Sequence, residues 1–247
     1  MGLILMGKLF DLTHYFPELL ADKERGISNM GLGLLYRIGA KPIARILVKT
    51  PVSANFVTYS AFFMAVVSAY FFSRGSYLSN LIGIAIFQIV LLLDFVDGEI
   101  ARAKETVSFY GDWVDSILDR LKDVVVIAGI AMGLSKTGEP LSIWILAFVL
   151  ICAKLMTSSL NLITNLYVPS GEGILKADMK ERGLLKHLIP NMINFYFAMT
   201  IFVVLGLLPI FFEIAVGYCS LFFLGSFMYF NVRFLKAGYP KKRQKTR

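Results

Sequence analysis

Four aspartates are the residues of this sequence best placed to do chemistry: Asp94 and Asp97, then Asp115 and Asp119. They sit in stretches apolar enough to cross a bilayer, where a carboxylate costs about 2.5 to 3.5 kcal/mol at mid-membrane, hence roughly 10 to 14 kcal/mol for four without compensation. At the helical rotation per residue, Asp94, Asp97, Gly98, Ala101 and Arg102 share one face of one helix. Gly111, Asp115 and Asp119, at steps of four, form a stripe on the next helix, and a short turn brings the two faces together. Carboxylates converging without His or Cys are hard oxygen ligands, the set expected for Mg²⁺ or Mn²⁺, with two ions to balance the charge. Gly98 and Gly111 would let a ligand approach the helix backbones, and Arg102 is suited to gripping a phosphate. Asp112 lies only about 20° around the helix from Asp119, so spacing alone leaves it open as a further ligand or base.

The run from Asp94 to Asp119 reads Asp-x2-Asp-Gly-x2-Ala-Arg-x8-Gly-x3-Asp-x3-Asp, eight defined positions over 26 residues. It resembles, without exception, the signature of the CDP-alcohol phosphotransferase (phosphatidyltransferase) family. The resemblance implies that Asp94, Asp97 and Asp115 hold the metal ions and that Asp119 helps to bind metal while serving as general base. An acceptor hydroxyl would attack the lipid-bearing phosphorus of a CDP-linked lipid, and CMP would leave. Gly98, Ala101, Arg102 and Gly111 would then cradle the CDP group. Members also carry a Pro-Asn-x-apolar-Thr segment before the first span. Here it reads Ala54-Asn55-Phe56-Val57-Thr58, with Ala in place of Pro, so Asn55 and Thr58 either touch the nucleotide or simply start a helix, with Asn55 as its cap.

The acceptor side is read from cations at membrane depth. Lys154 lies about eleven residues from the cytoplasmic end of its span, roughly 16 Å deep, and is expected to face a polar cavity. Ser158 and Asn161 continue that stripe by one and two turns. Arg233, with Arg182 or Lys180 from a basic loop, would complete an anion site by likeness to family members that use phosphorylated polyols. The acceptor expected is therefore inositol phosphate or glycerol phosphate, and Asp-Gly-Glu-Ile-Ala-Arg resembles the inositol-phosphate branch. The bland readings are a salt bridge to a motif aspartate for Lys154 and headgroup snorkelling for the arginines.

The elements that position these residues follow from composition. Of 247 residues, 57% are hydrophobic and 17% charged, and the mean hydropathy is +0.68, which places the chain in a bilayer. With about 20 apolar residues per crossing, spans are predicted over 56–73, 80–103, 108–133, 139–165, 191–208 and 211–235. The fold class is all-α: six transmembrane helices preceded by an interfacial amphipathic helix. Arg37, Lys41, Arg45 and Lys49 recur at steps of four there, as on a basic helix lying among anionic headgroups.

The organisation expected is a cytoplasmic segment with this helix over 1–50, a catalytic membrane domain over 51–236 and a basic tail over 237–247. Lys and Arg concentrate before the first span, in the 167–190 loop and in the tail, so the positive-inside rule puts both termini and the active site on the cytoplasmic side of the cell membrane. The formal charge of +8 is spread over the ends of spans and not over an aromatic-rich soluble face, which argues against nucleic acid. Cys152 and Cys219 read as small core residues. The first ten residues show no signal-peptide pattern, and Gly2 lacks the Ser or Thr of a myristoylation site. Family resemblance implies a homodimer, while Gly129 and Gly133 make a GxxxG face too common to locate its interface. The competing readings are an intramembrane Mg²⁺-dependent prenyltransferase and a cation transporter or metal sensor.

Overall fold

A computed structural model of the protein describes residues 33–167 and 192–236. They form seven helices and no strand: α1 (Gly33–Val48), α2 (Ala54–Ser73), α3 (Tyr77–Ala103), α4 (Phe109–Leu134), α5 (Pro140–Tyr167), α6 (Met192–Val204) and α7 (Leu208–Lys236). Serines start three of them. Ser53, Ser76 and Ser108 stand at the N-caps of α2, α3 and α4, their hydroxyls accepting from the amides of Phe56, Ser79 and Gly111. Asn55 is therefore inside the first turn of α2 and is not its cap.

Each of the six predicted spans coincides with a helix, but four helices are long and apolar enough to cross a membrane: Ala54–Ser73, Tyr77–Ala103, Pro140–Leu160 and Leu208–Val232. The other two differ for physical reasons. The stretch of α4 from Asp112 to Asp123 carries Asp112, Asp115, Asp119, Arg120, Lys122 and Asp123, and α6 is only 13 residues long. Large apolar side chains such as Phe63, Phe148 and Leu221 face outward, as lipid-facing residues do. The chain is a multi-pass membrane protein.

Two clusters hold the bundle. The larger joins α2 to α7 through residues such as Phe72, Phe87, Ile127, Leu150, Met199 and Phe212, all nearly inaccessible. The smaller seats α1: Ala40 and Ala44 pack with Val57 of α2 and with Val96 and Ile100 of α3. One face of the basic helix is thus bound to the helix that carries the first motif aspartates.

Close packing of α2 against α4 sets the distance between their site-bearing ends. A Cβ at Gly129 would stand 2.4 Å from the Ala69 carbonyl oxygen, and one at Gly133 would stand 2.1 Å from that of Phe72. The GxxxG face is spent on a contact within the chain. Gly75, at φ +76°, makes the α2–α3 turn against the same place, where a Cβ would lie 2.6 Å from Gly133 O. Cys152 and Cys219 are free thiols, the latter buried in the core.

Candidate active site

The site is built around the turn from α3 to α4. The amide of Thr106 donates to Ala101 O (2.9 Å) and that of Glu105 to Arg102 O (3.2 Å). This is a Schellman closure, with Glu105 in the left-handed region at φ 56°. Lys104 then reaches sideways: its Nζ donates to the carbonyls of Thr50 and Val52, both at 2.7 Å, and ties the α1–α2 connection to the end of α3. The start of α2, the end of α3 and the start of α4 are thereby held together.

Between them lies a cleft of about 320 Å³. Its lining includes Asn55, Thr58, Asp97, Gly98, Ala101, Arg102, Gly111, Asp112 and Asp115. The sequence-predicted CDP-binding residues thus share one cavity with two motif aspartates and with Asp112. Two features keep it open. A Cβ at Gly111 would approach Ser108 Oγ to 3.3 Å and Asn55 Oδ1 to 3.5 Å, and one at Gly98 would meet the Arg102 guanidinium from 3.4 Å. Arg102 lies back over Gly98 and pairs with Glu99 across one turn at 2.9 Å.

One turn further into the bundle, oxygens of Asp94, Asp115 and Asp119 gather within 4.8 Å of one another. Like charges at that separation repel by about 3 to 4 kcal/mol per pair at an effective dielectric near 20. Asp97 is not in this trio; its Oδ2 accepts a buried 2.7 Å hydrogen bond from Thr58 Oγ1 at the cleft wall. Asp115 Oδ1 is buried and has no hydrogen-bond partner. A trio of convergent carboxylates with an unpartnered oxygen suits a hard divalent cation.

Two basic residues and their partners lie behind the carboxylates. Lys122 is completely buried, and its Nζ sits 2.6 Å from Asp94 Oδ1 and 2.5 Å from Asp119 Oδ1. Sequence reasoning overlooked it, although helical geometry sets position 122 within about 20° of Asp115. Lys154 of α5 pairs with Asp123 of α4 at 2.8 Å, and its ammonium lies 4.0 Å from the Phe195 ring centroid. Tyr196 donates a short hydrogen bond to the same Asp123 oxygen. Lys154 thus does form an ion pair, but with a carboxylate outside the motif. Asp123 also went unremarked, though it extends the stripe Gly111, Asp115, Asp119 by one more step of four.

The remaining acceptor-side residues fall on α5, on α7 and outside the described segments. Ser158 lies one turn beyond Lys154 on α5. Arg182 and Lys180 lie outside the described residues. Arg233 and Asn161 have backbone positions on α7 and α5, and their side chains lie outside the description.

The sequence pattern of CDP-alcohol phosphatidyltransferases matches residues 51–225, a stretch that takes in the cleft, the carboxylates and Lys154. The chain belongs to this family. Membership makes it a transferase and decides against the prenyltransferase and transporter alternatives. It is 32% identical to an archaetidylinositol phosphate synthase of Pyrococcus horikoshii over 143 residues, 57% of this chain and 69% of that relative. A bifunctional IPC transferase and DIPP synthase of Aquifex aeolicus is 34% identical over 85 residues, and this phosphatidyltransferase spans only 19% of its length. In fold it resembles the Mycobacterium tuberculosis phosphatidylinositol phosphate synthase crystallised with CDP-DAG bound. That likeness has a TM-score of 0.56 at 15% identity and covers 76% of this chain and 92% of the other. The same synthase has been crystallised with manganese and citrate.

Proposed function

We propose that this phosphatidyltransferase moves the lipid-bearing phosphoryl group of a CDP-linked lipid onto a hydroxyl of inositol phosphate and releases CMP. The observation that carries the reading is the adjacency of the Asp94–Asp115–Asp119 trio to a cleft lined by Asp97, Gly98, Ala101, Arg102 and Gly111. Binding and chemistry need this arrangement: room for a flat nucleotide against bare backbone, and carboxylates at its phosphate end.

Asp94, Asp97, Asp115 and Asp119 would hold Mg²⁺ or Mn²⁺, two ions by charge. When bound, the metal supplies charge neutralisation and polarisation of the pyrophosphate. Gly98, Ala101 and Gly111 admit the cytidine, with Asn55 and Thr58 on the opposing wall. Arg102 releases Glu99 to grip the pyrophosphate with its planar fork. Asp119 takes the proton from the acceptor hydroxyl as the new bond to phosphorus forms and the bond to CMP breaks.

The acceptor's phosphate would meet Lys154, Ser158, Arg182 and Arg233. Lys154 is held by Asp123 at 2.8 Å and reaches Tyr196 Oη only at 3.5 Å, so an acceptor phosphate would take the place of the weaker Tyr196 contact. Relatives named for inositol phosphate products support inositol phosphate over glycerol phosphate as acceptor. In the membrane, six spans with α1 along the cytoplasmic interface, both termini cytoplasmic, and a homodimeric assembly complete the reading.

The test is CMP release by the purified protein in lipid nanodiscs, with CDP-lipid and Mn²⁺ or Mg²⁺ and with inositol phosphate, glycerol phosphate and serine compared as acceptors. Metal-dependent release that is fastest with inositol phosphate and is abolished in Asp119→Asn supports the proposal. Cation flux without CMP release overturns it, and preference for serine overturns the acceptor assignment.

A further inference from the structure

Lys122 is the one lysine among the described residues that is wholly inaccessible, and the proposed reaction assigns it no part. Its position is specific. The ammonium bridges Asp94 on α3 and Asp119 on α4, the two trio members one turn further from the cleft than Asp97 and Asp115. Asp115, the third member, keeps a buried oxygen with no partner and also lines the cleft. The trio is therefore neutralised from behind and left open in front.

We infer that Lys122 is a built-in counter-cation, a positioning residue that holds Asp94 and Asp119 together before any metal binds and thereby lowers the site's avidity for divalent ions. Three carboxylates this close need positive charge whether or not metal is present. A buried ammonium supplies it permanently, so the bundle closes without waiting for an ion, and the open Asp115 side is where an ion adds. The same charge repels the incoming cation, and this repulsion lowers the site's affinity for it. The inference rests on the proposed metal site. It adds a sign to it: removing this cation raises the free energy of the metal-free protein more than that of the metal-bound protein.

The measurements are the melting temperature of the full chain in nanodiscs with and without Mn²⁺, and Mn²⁺ affinity by electron paramagnetic resonance, for wild type, Lys122→Gln and Lys122→Arg. Wild type is expected to show a modest Mn²⁺-induced rise. Lys122→Gln, which is one atom shorter, keeps a hydrogen-bond donor and loses the charge, is expected to melt lower without metal, to gain a larger rise from Mn²⁺, and to bind Mn²⁺ about tenfold more tightly. Lys122→Arg is expected to match wild type in the size of the rise. A Lys122→Gln protein recovered folded only when Mn²⁺ is present also supports the inference.

A merely structural lysine would give a different pattern, with Lys122→Gln lowering both melting temperatures equally and leaving the Mn²⁺ increment and affinity unchanged. That result, or a smaller increment, overturns the inference while leaving the metal site intact. Should wild type show neither a Mn²⁺-induced rise nor Mn²⁺ binding, the proposed metal chemistry fails and the inference falls with it.

Discussion

Thr58 donates a buried 2.7 Å hydrogen bond to Asp97, joining the first apolar helix to the second inside the signature motif. An ionised carboxylate at that depth needs donors, and a hydrogen bond to a charged group contributes roughly 1.5 to 3 kcal/mol. Thr58→Val keeps the shape and removes the donor. The expected result is a loss of about that size in stability and a fall of roughly tenfold or more in kcat/KM for CMP release. Thr58→Ser restores both, and equal activity of the Val and Ser variants would refute the assignment.

The approach of α4 to α2 at Gly129 and Gly133 leaves no room for a methyl group, because the atoms in the way are backbone carbonyl oxygens at 2.4 and 2.1 Å. Gly133→Ala is expected to push the helices apart and to cost about 1 to 3 kcal/mol or more, the range for overpacking. Gly217, where a Cβ meets nothing within 4 Å, is the control. Melting of Gly217→Ala should stay near wild type while Gly133→Ala falls by several degrees.

Gly98 behaves differently, since the atoms nearest its missing Cβ belong to the tip of Arg102. That flexible side chain can move, so Gly98→Ala should leave the fold intact. It narrows the cleft where the nucleotide is proposed to lie. A rise of about tenfold in KM for the CDP-lipid, about 1.4 kcal/mol of binding, with little change in melting temperature is the expected signature.

Glu105 closes the α3–α4 turn in a left-handed conformation that costs a side chain-bearing residue roughly 1 to 2 kcal/mol. Glu105→Gly relieves it, and the expected outcome is a gain of up to about 1 kcal/mol after the extra entropy of glycine is counted. Circular dichroism melting measures this directly. A lower melting temperature would mean that the Glu105 side chain is needed at the turn.

The residues around this turn show how far the sequence could be read. Steps of three and four fix which side chains share a helix face, and so the motif aspartates, the bare glycines and Arg102 could be assembled on paper. Periodicity does not say which neighbour a face meets. The Gly129–Gly133 pair announced close packing without naming α2, and Lys154 announced a polar partner without naming Asp123. The cap was assigned to the wrong residue for a similar reason: Asn55 is a good N-cap residue, but so is Ser53 two positions earlier, and only the backbone of α2 decides for Ser53. Lys122 was within reach of the same helical wheel, but a lone lysine after an aspartate reads as a solvated i,i+3 pair until its burial is known.

Asp123 and Lys154 provide the sharpest test of the acceptor side. They form a 2.8 Å ion pair with both side chains largely buried, and Tyr196 shares the carboxylate. Removing one partner strands the other, so Lys154→Met alone is expected to cost about 3 to 5 kcal/mol and says little about substrate. Replacing both, as Lys154→Met with Asp123→Asn, removes the charges together and should recover most of the lost stability. In that double variant the two roles of Lys154 separate. If Lys154 also meets the acceptor's phosphate, KM for inositol phosphate rises at least about tenfold while KM for the CDP-lipid stays near wild type. If it serves only the ion pair, both KM values stay near wild type once stability is restored, and the acceptor's phosphate must be held by other cations.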